Sequence, residues 1–384
     1  MLNATRTAPL LTSLPRPDRR GEPATCLGHR LAPLVGSRGC YANCSFCCIA
    51  AWHEAASPGK RYRNRPLDDI ADEVAELHHG RGIEVFVFHD DNFFLPNAAR
   101  NLERIGHLAD LLDARGVHRY ATVVKARPTD VQPAVFATLV HRLNCIRAYV
   151  GIETDSDQGL STLHRQARSR HNWEALRVID GLGLYACFNL LLFDPDTTLA
   201  SLEDNLRFIE AHAEHPFNFG RVELYAGTPL LERMQTEHRA VGDWLQWDYP
   251  LNDRSIERVF QMATRAFYPR NFSSTALANS LMSTHFDVAV ARHFHPRAYR
   301  RAWLDEAKLL SRTLGSDSAE GLRGLVAHVR GTSSAADDKA VADELALHLR
   351  ELEAAVRDRA RALEADIREA LVEQTTVTPE EMSP

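Results

Sequence analysis

No stretch of this 384-residue chain stays apolar for the roughly 20 residues that a bilayer span needs. The amino terminus has Arg6 and a short Pro9-Leu10-Leu11 run, without a long apolar signal region and cleavage site. An excess of positive charge is also missing. Lys and Arg number 45 against 51 Asp and Glu, for a net charge of −6, which argues against charge-driven binding to nucleic acid. Lys60-Arg61-Tyr62-Arg63-Asn64-Arg65 is a local basic patch all the same. There are no internal repeats. Of the 7 cysteines, Cys26, Cys48, Cys145 and Cys187 are scattered. That usage fits a reducing cytoplasm, where thiols hold clusters rather than pair as disulfides. What the chain does have is 45% hydrophobic residues, enough for a large core and more than one domain.

The other three cysteines share one short loop, Gly39-Cys40-Tyr41-Ala42-Asn43-Cys44-Ser45-Phe46-Cys47. Thiolates at C-x3-C-x2-C spacing are soft ligands close enough to grip three corners of an iron–sulfur cube. A cube has four irons, so one corner lacks a protein ligand and can bind a small molecule. A structural zinc site draws on two separated ligand pairs, and no second pair follows. Cys44-x3-Cys48 is a conceivable alternative, with Cys48 otherwise expected to point into the core.

From Leu31 onward short β-like runs alternate with helical stretches. Leu31–Gly36 is expected as a first strand that delivers the cysteine loop, after an irregular arm over residues 1–30. Val85-Phe86-Val87-Phe88 is wholly apolar, as a parallel strand covered on both faces should be. Further strands are read at Tyr120–Val124, Ala148–Ile152, Phe188–Phe193 and Arg221–Tyr225, with helices between. Six such alternations in about 200 residues predict an α/β fold, a (β/α)6 partial TIM barrel with chemistry at the strands' carboxyl ends. Residues 31–239 are assigned to this barrel. Residues 240–384, without clear strands and rich in Ala, Leu, Glu and Arg toward the end, are read as a helical cap or substrate domain, with 375–384 frayed.

The strand ends carry polar groups that make poor core material. His89-Asp90-Asp91-Asn92 follows the second strand, Lys125 and Arg127 the third, and Gly151-Ile152-Glu153-Thr154 the fourth. Arg165 comes twelve residues after Glu153. Asp194–Thr198 follows the fifth strand, either as a ligand-side turn or as a cap for the next helix. Glu223-Leu224-Tyr225-Ala226-Gly227-Thr228-Pro229 follows the sixth and offers Glu223 and Tyr225 as substrate candidates. His285, His293 and His295 have no metal-ligand spacing and are expected to pack.

Cysteine loop and ordered strand-end motifs together resemble the radical S-adenosylmethionine (SAM) superfamily, over residues 31–235. Asp90-Asp91-Asn92 and Tyr225-x-Gly-Thr-Pro resemble its cobalamin-associated branch in particular. The resemblance implies a [4Fe–4S] cluster on Cys40, Cys44 and Cys47, with SAM on the open iron. It further implies Phe46 beside adenine, one or more of Asp90, Asp91 and Asn92 on the methionyl ammonium, Glu153 on the ribose and Arg165 on the carboxylate. A carboxylate facing an ammonium and a planar fork facing a carboxylate are sound pairings. Only about 30 residues precede the barrel, and there is no Asp-x-His-x-x-Gly loop to ligate a corrin. Cobalamin is therefore expected to be absent from the isolated chain.

The expected activity is reductive cleavage of SAM to a 5′-deoxyadenosyl radical that abstracts hydrogen from a small biosynthetic metabolite. Electrons would come from a flavodoxin or ferredoxin. The alternatives are cobalamin-dependent methyl transfer with a cobalamin-binding partner subunit, and a non-catalytic iron–sulfur or SAM-binding regulator.

Overall fold

The computed structural model describes residues 11–56, 62–331 and 334–376. Residues 1–10 of the arm, Lys60 and Arg61 of the basic patch, and 377–384 of the tail lie outside them.

In chain order the elements are β1 (Thr25–Cys26), β2 (His29–Leu34), β3 (Ser37–Arg38), α1 (Cys48–Ala56), β4 (Arg63–Asn64), α2 (Leu67–Arg81), β5 (Ile83–Phe88) and α3 (Ala98–Ala114). Then come β6 (Ala121–Ala126), α4 (Pro133–Arg142), β7 (Cys145–Glu153), α5 (Asp157–Thr162), α6 (Ser169–Gly181), β8 (Tyr185–Phe193), α7 (Leu199–Ala211) and β9 (Phe217–Arg221). The remainder is α8 (Pro229–Thr236), β10 (Val241–Asp243), β11 (Gln246–Asp248), α9 (Arg254–Phe267), α10 (Leu277–Phe294), α11 (Arg301–Arg330) and α12 (Ala335–Thr376).

The main sheet has the strand order β1-β2-β5-β6-β7-β8-β9 and curls as the predicted partial barrel. β1 is antiparallel to β2, whereas β2, β5, β6 and β7 run parallel, as do β8 and β9. Register lines up the strand ends, with Leu34 beside Phe88 and Ala126 beside Val150. Each following loop therefore emerges at the same edge. The core is what the apolar runs require: Val85, Phe86, Ala148, Val150 and Ile152 are all at most 1% exposed. Burying each of the valine, phenylalanine and isoleucine side chains contributes about 1.5–3 kcal/mol.

Three expectations need correction. Residues 25–26 are not irregular arm but a short strand closing the sheet's first edge. The last strand is Phe217–Arg221, which pairs with β8, and Val222–Tyr225 lies beyond it. Residues 240–250 are not strand-free, since β10 and β11 form a small exposed hairpin.

By contacts the chain divides into two compact units, residues 1–186 with 222–250, and residues 187–221 with 251–384. In the second unit α9 buries Ile256, Val259, Met262, Ala263, Ala266 and Phe267 along one stripe. Arg258 and Arg265 on its polar side pair with Asp338 and Asp343 of α12. Arg270, 1% exposed, is held by Glu353 at 3.0 Å and Asp317 at 2.7 Å. Thr198 caps α7 by accepting from the Ser201 N–H, so the cap reading of Asp194–Thr198 is the observed one. Among the described residues no helix is long and apolar enough to cross a membrane.

Candidate active site

The candidate site lies wholly within the first unit, where the parallel strand ends bring the cysteine loop and the polar segments together. Gly39 enters the loop with φ +84°, a left-handed conformation that glycine adopts at no steric cost. Its N–H donates to Asp91 Oδ2 at 2.7 Å. Ser45 anchors the middle, its N–H donating to the Leu163 carbonyl at 3.0 Å and its hydroxyl to the Thr162 carbonyl at 2.9 Å. The Leu230 N–H in turn donates to the Ser45 carbonyl at 2.9 Å.

Each of the three sulfurs faces N–H donors. The Ala42 N–H reaches Cys40 Sγ at 3.4 Å, and Arg165 Nη1 reaches Cys44 Sγ at 3.2 Å. Cys47 sits just before α1, whose first-turn N–H groups on Ile49 and Ala50 face its sulfur. Cys44 is buried and Cys40 and Cys47 are half-buried. Burial pushes the Cys40 and Cys47 thiols up from their ordinary range, so a bound metal must displace protons there. Cys48 was expected to point inward. As the first residue of α1 it is exposed instead. Among the described residues no three His, Cys, Asp or Glu side chains gather about a single point, as one metal ion would require. Thiolates serving separate corners of a cube do not need to converge in that way.

The His89–Asn92 segment divides its work. Asp90 is fully buried, accepting from the Ser37 hydroxyl and from the Gly36 N–H at 3.1 Å, with burial pushing its carboxyl up. It ties the β2 exit to the β5 exit. Asp91 stays partly exposed between Gly39 and His53, whose Nε2 lies 3.5 Å away. Asn92 accepts from the Phe94 N–H at 3.2 Å, while its buried Nδ2 lacks a hydrogen-bond partner. Phe46 is half-buried in the turn before Cys47.

At the β7 end Glu153 adopts φ +63°, a conformation uncommon for a residue with a side chain and found disproportionately at functional sites. Arg165 Nη2 lies 3.8 Å from Glu153 Oε1 and also donates to the Gly151 carbonyl. Burial raises the Glu153 carboxyl, against the pull of the Arg165 and Arg127 charges. Gly151 makes this crossing possible. A Cβ there would stand 3.0 Å from Glu153 Oε1 and 3.3 Å from Arg165 Nη2.

Sequence reasoning gave Arg127 only a minor part and missed Tyr41 and Asp130. The Tyr41 hydroxyl and the Arg127 N–H both donate to the buried Asp130 carboxylate, and the Arg127 guanidinium lies 5.3 Å over the Tyr41 ring. Arg127 also donates to the Arg165 carbonyl. The cysteine loop is thereby fixed to the β6 end. A tyrosine between two of the loop cysteines was the available signal. Lys125 is exposed. Tyr225 donates to Glu223, which with burial pushes its hydroxyl up to about 12, and it also feels Cys47 and Cys48. His285 is packed, its Nε2 3.0 Å from the Ala307 carbonyl, and His293 and His295 are half-buried near the end of α10.

Three cysteine sulfurs on one loop thus stand beside a carboxylate–guanidinium pair at the edge of the partial barrel. Residues 34–234 match the model of the Radical SAM superfamily, and the chain belongs to that superfamily. It is 26% identical over 199 residues to the uncharacterized methyltransferase PH0819 of Pyrococcus horikoshii, covering 52% of this chain and 41% of that one. It is also 26% identical over 227 residues to bacteriochlorophyllide d C-12(1)-methyltransferase of Chlorobaculum tepidum, covering 57% and 46%. The solved structure of the cobalamin-dependent SAM radical enzyme OxsB with aqua-cobalamin shares its fold at TM-score 0.58 and 15% identity, over 92% of this chain and 56% of that one. The chain thus spans less than half the length of these curated relatives.

Proposed function

We propose that this enzyme holds a [4Fe–4S] cluster on Cys40, Cys44 and Cys47 and binds SAM against it for reductive cleavage. The donor set fits the cluster: three soft sulfurs on one loop, each facing N–H groups that favour negative charge on sulfur. When bound, cluster and SAM supply a 5′-deoxyadenosyl radical that takes a hydrogen atom from a small biosynthetic metabolite. The chain's own residues bind, orient and exclude water. Arg165 carries the proposal, since one side chain touches a ligand sulfur and faces Glu153. It offers a planar fork to the SAM carboxylate, Glu153 offers acceptors to the ribose hydroxyls, and Phe46 offers a face to adenine. Of the three polar residues after β5, Asp91 is the one with a partly exposed carboxylate for the ammonium. Anaerobic incubation with SAM, reductant and candidate metabolites, read by mass spectrometry, should yield 5′-deoxyadenosine and methionine. Intact cluster and bound SAM with no 5′-deoxyadenosine would favour a regulatory protein.

The relatives' names support a second reading, cobalamin-dependent methyl transfer with the corrin held by another domain or a partner subunit. Two of them are called methyltransferases, and OxsB was solved with aqua-cobalamin bound. Corrin absorption on protein purified from cobalamin-fed cells separates the readings. A stoichiometric corrin on this chain alone would overturn our preference for radical chemistry without cobalamin.

A further inference from the structure

Arg165 is fixed at both ends of its residue. It lies between His164 and Gln166, which have left-handed backbones at φ +48° and +53° and are exposed, while Arg165 is 6% exposed. Its N–H donates to the Leu160 carbonyl at 2.9 Å, and its own carbonyl accepts from Arg127. At the guanidinium, Nη2 donates to the Gly151 carbonyl and Nη1 to Cys44 Sγ at 3.2 Å. Glu153 Oε1, at 3.8 Å from Nη2, is outside hydrogen-bond reach. The cation is therefore bonded to a sulfur rather than to the carboxylate beside it. Its Nε is buried without a partner, which leaves one donor for a ligand.

The three loop sulfurs are treated unequally. Cys40 meets the Ala42 N–H and Cys47 the first-turn N–H groups of α1, donors that carry only partial charge. Cys44 meets a full, buried cation, whose charge reaches Cys40 as well. A second cation, Arg127, also acts on Cys40, but the Asp130 carboxylate acts against it. Net charge and hydrogen bonds at the sulfurs set the potential of an iron–sulfur cluster. A charged donor in a low-dielectric setting does so more strongly than a backbone amide. We propose that Arg165 holds the cluster's reduction potential up by stabilising the negative charge that reduction adds, a reading that rests on the cluster assignment above. Glu153, facing the same guanidinium, limits the effect. One electron from an outside one-electron donor takes the cluster from the 2+ to the 1+ state, with no bond broken and no proton moved. This role is separate from the contact to the SAM carboxylate, because it operates before SAM is bound.

The test is an anaerobic redox titration of cluster-loaded protein without SAM, followed by electron paramagnetic resonance of the reduced cluster. Arg165→Met should lower the midpoint potential by at least one tenfold step in the reduction equilibrium, about 59 mV for one electron. Iron and sulfide content should match the wild type. Arg165→Lys, which keeps the charge but not the fork, should fall between the two. A merely loosened loop would let water in and shift the potential the other way, since water favours the more highly charged reduced form. If Arg165→Met holds no cluster, Glu153→Gln decides, and its potential should rise because the guanidinium loses its opposing charge. An unchanged or raised potential in cluster-loaded Arg165→Met, or an unchanged or lowered one in Glu153→Gln, would overturn the role of Arg165. Absence of iron from the wild type would instead overturn the cluster assignment, before any potential is read.

Discussion

The two compact units treat buried charge in opposite ways. In the helical unit Arg270 is held by Glu353, Asp317, Ser318 and the Leu314 carbonyl, all within that unit. In the cysteine-loop unit Arg165 faces a sulfur, and Glu153 sits on strained backbone with burial raising its carboxyl. The first arrangement specifies a packing. The second keeps charge and strain beside the cysteine loop, and such an arrangement is costly to fold unless function retains it.

Substitutions at four places test this contrast. The largest effect belongs to the loop. Cys40→Ala, Cys44→Ala or Cys47→Ala should abolish the brown chromophore and SAM cleavage, whereas Cys48→Ala, at an exposed position, should keep both. Iron analysis and 5′-deoxyadenosine assays read the outcome, and full cluster content in Cys47→Ala would break the assignment. Next is Arg270→Met in the other unit, which strands Glu353 and Asp317 without their cation and should cost about 3–5 kcal/mol of stability by urea unfolding. Activity per folded molecule should be kept. If SAM affinity fell instead, the two units would not differ as described.

Gly151→Ala should act the other way round, leaving the unfolding midpoint near wild type while weakening SAM binding by roughly 10-fold in calorimetry. The added methyl would press on Glu153 and Arg165, and one tenfold step corresponds to about 1.4 kcal/mol. The smallest effect is pH dependence in the helical unit. Burial pushes His285 down to about 3, with the nearby His215 and Lys308 charges adding to it and the Ala307 carbonyl opposing. The folded form thus holds His285 neutral while the unfolded chain protonates near pH 6.5. This contribution is complete above that pH and is lost on acidification toward 3, by about 1.4 kcal/mol per pH unit. His285→Gln should flatten that slope in urea titrations at pH 7.0 and 5.5.

Much of the barrel was legible because parallel strands covered on both faces must be apolar throughout, as β5 is. Its last strand was misplaced because Arg221–Tyr225 alternates as plausibly as Phe217–Arg221, both with buried apolar positions, and only the pairing with β8 chose between them. The β10–β11 hairpin was missed because its turn is Trp244-Leu245, both largely exposed, in place of the glycine or asparagine that usually marks a tight turn. Cys48 was misjudged because inward or outward direction depends on where α1 begins.

The sequence by itself determined the spacing of the three loop cysteines and the order of polar strand ends, since both are matters of spacing along one chain. Only the tertiary structure separated Asp90 from Asp91. Adjacent and identical just past the end of β5, one met the Gly36 and Ser37 donors while the other met Gly39 at the loop. It also decided that Arg165 reaches Cys44, 121 positions apart in the chain, and that Tyr41, Asp130 and Arg127 lock the loop in place. Contacts at that separation depend on how the strand ends align, and no local pattern of residues encodes them.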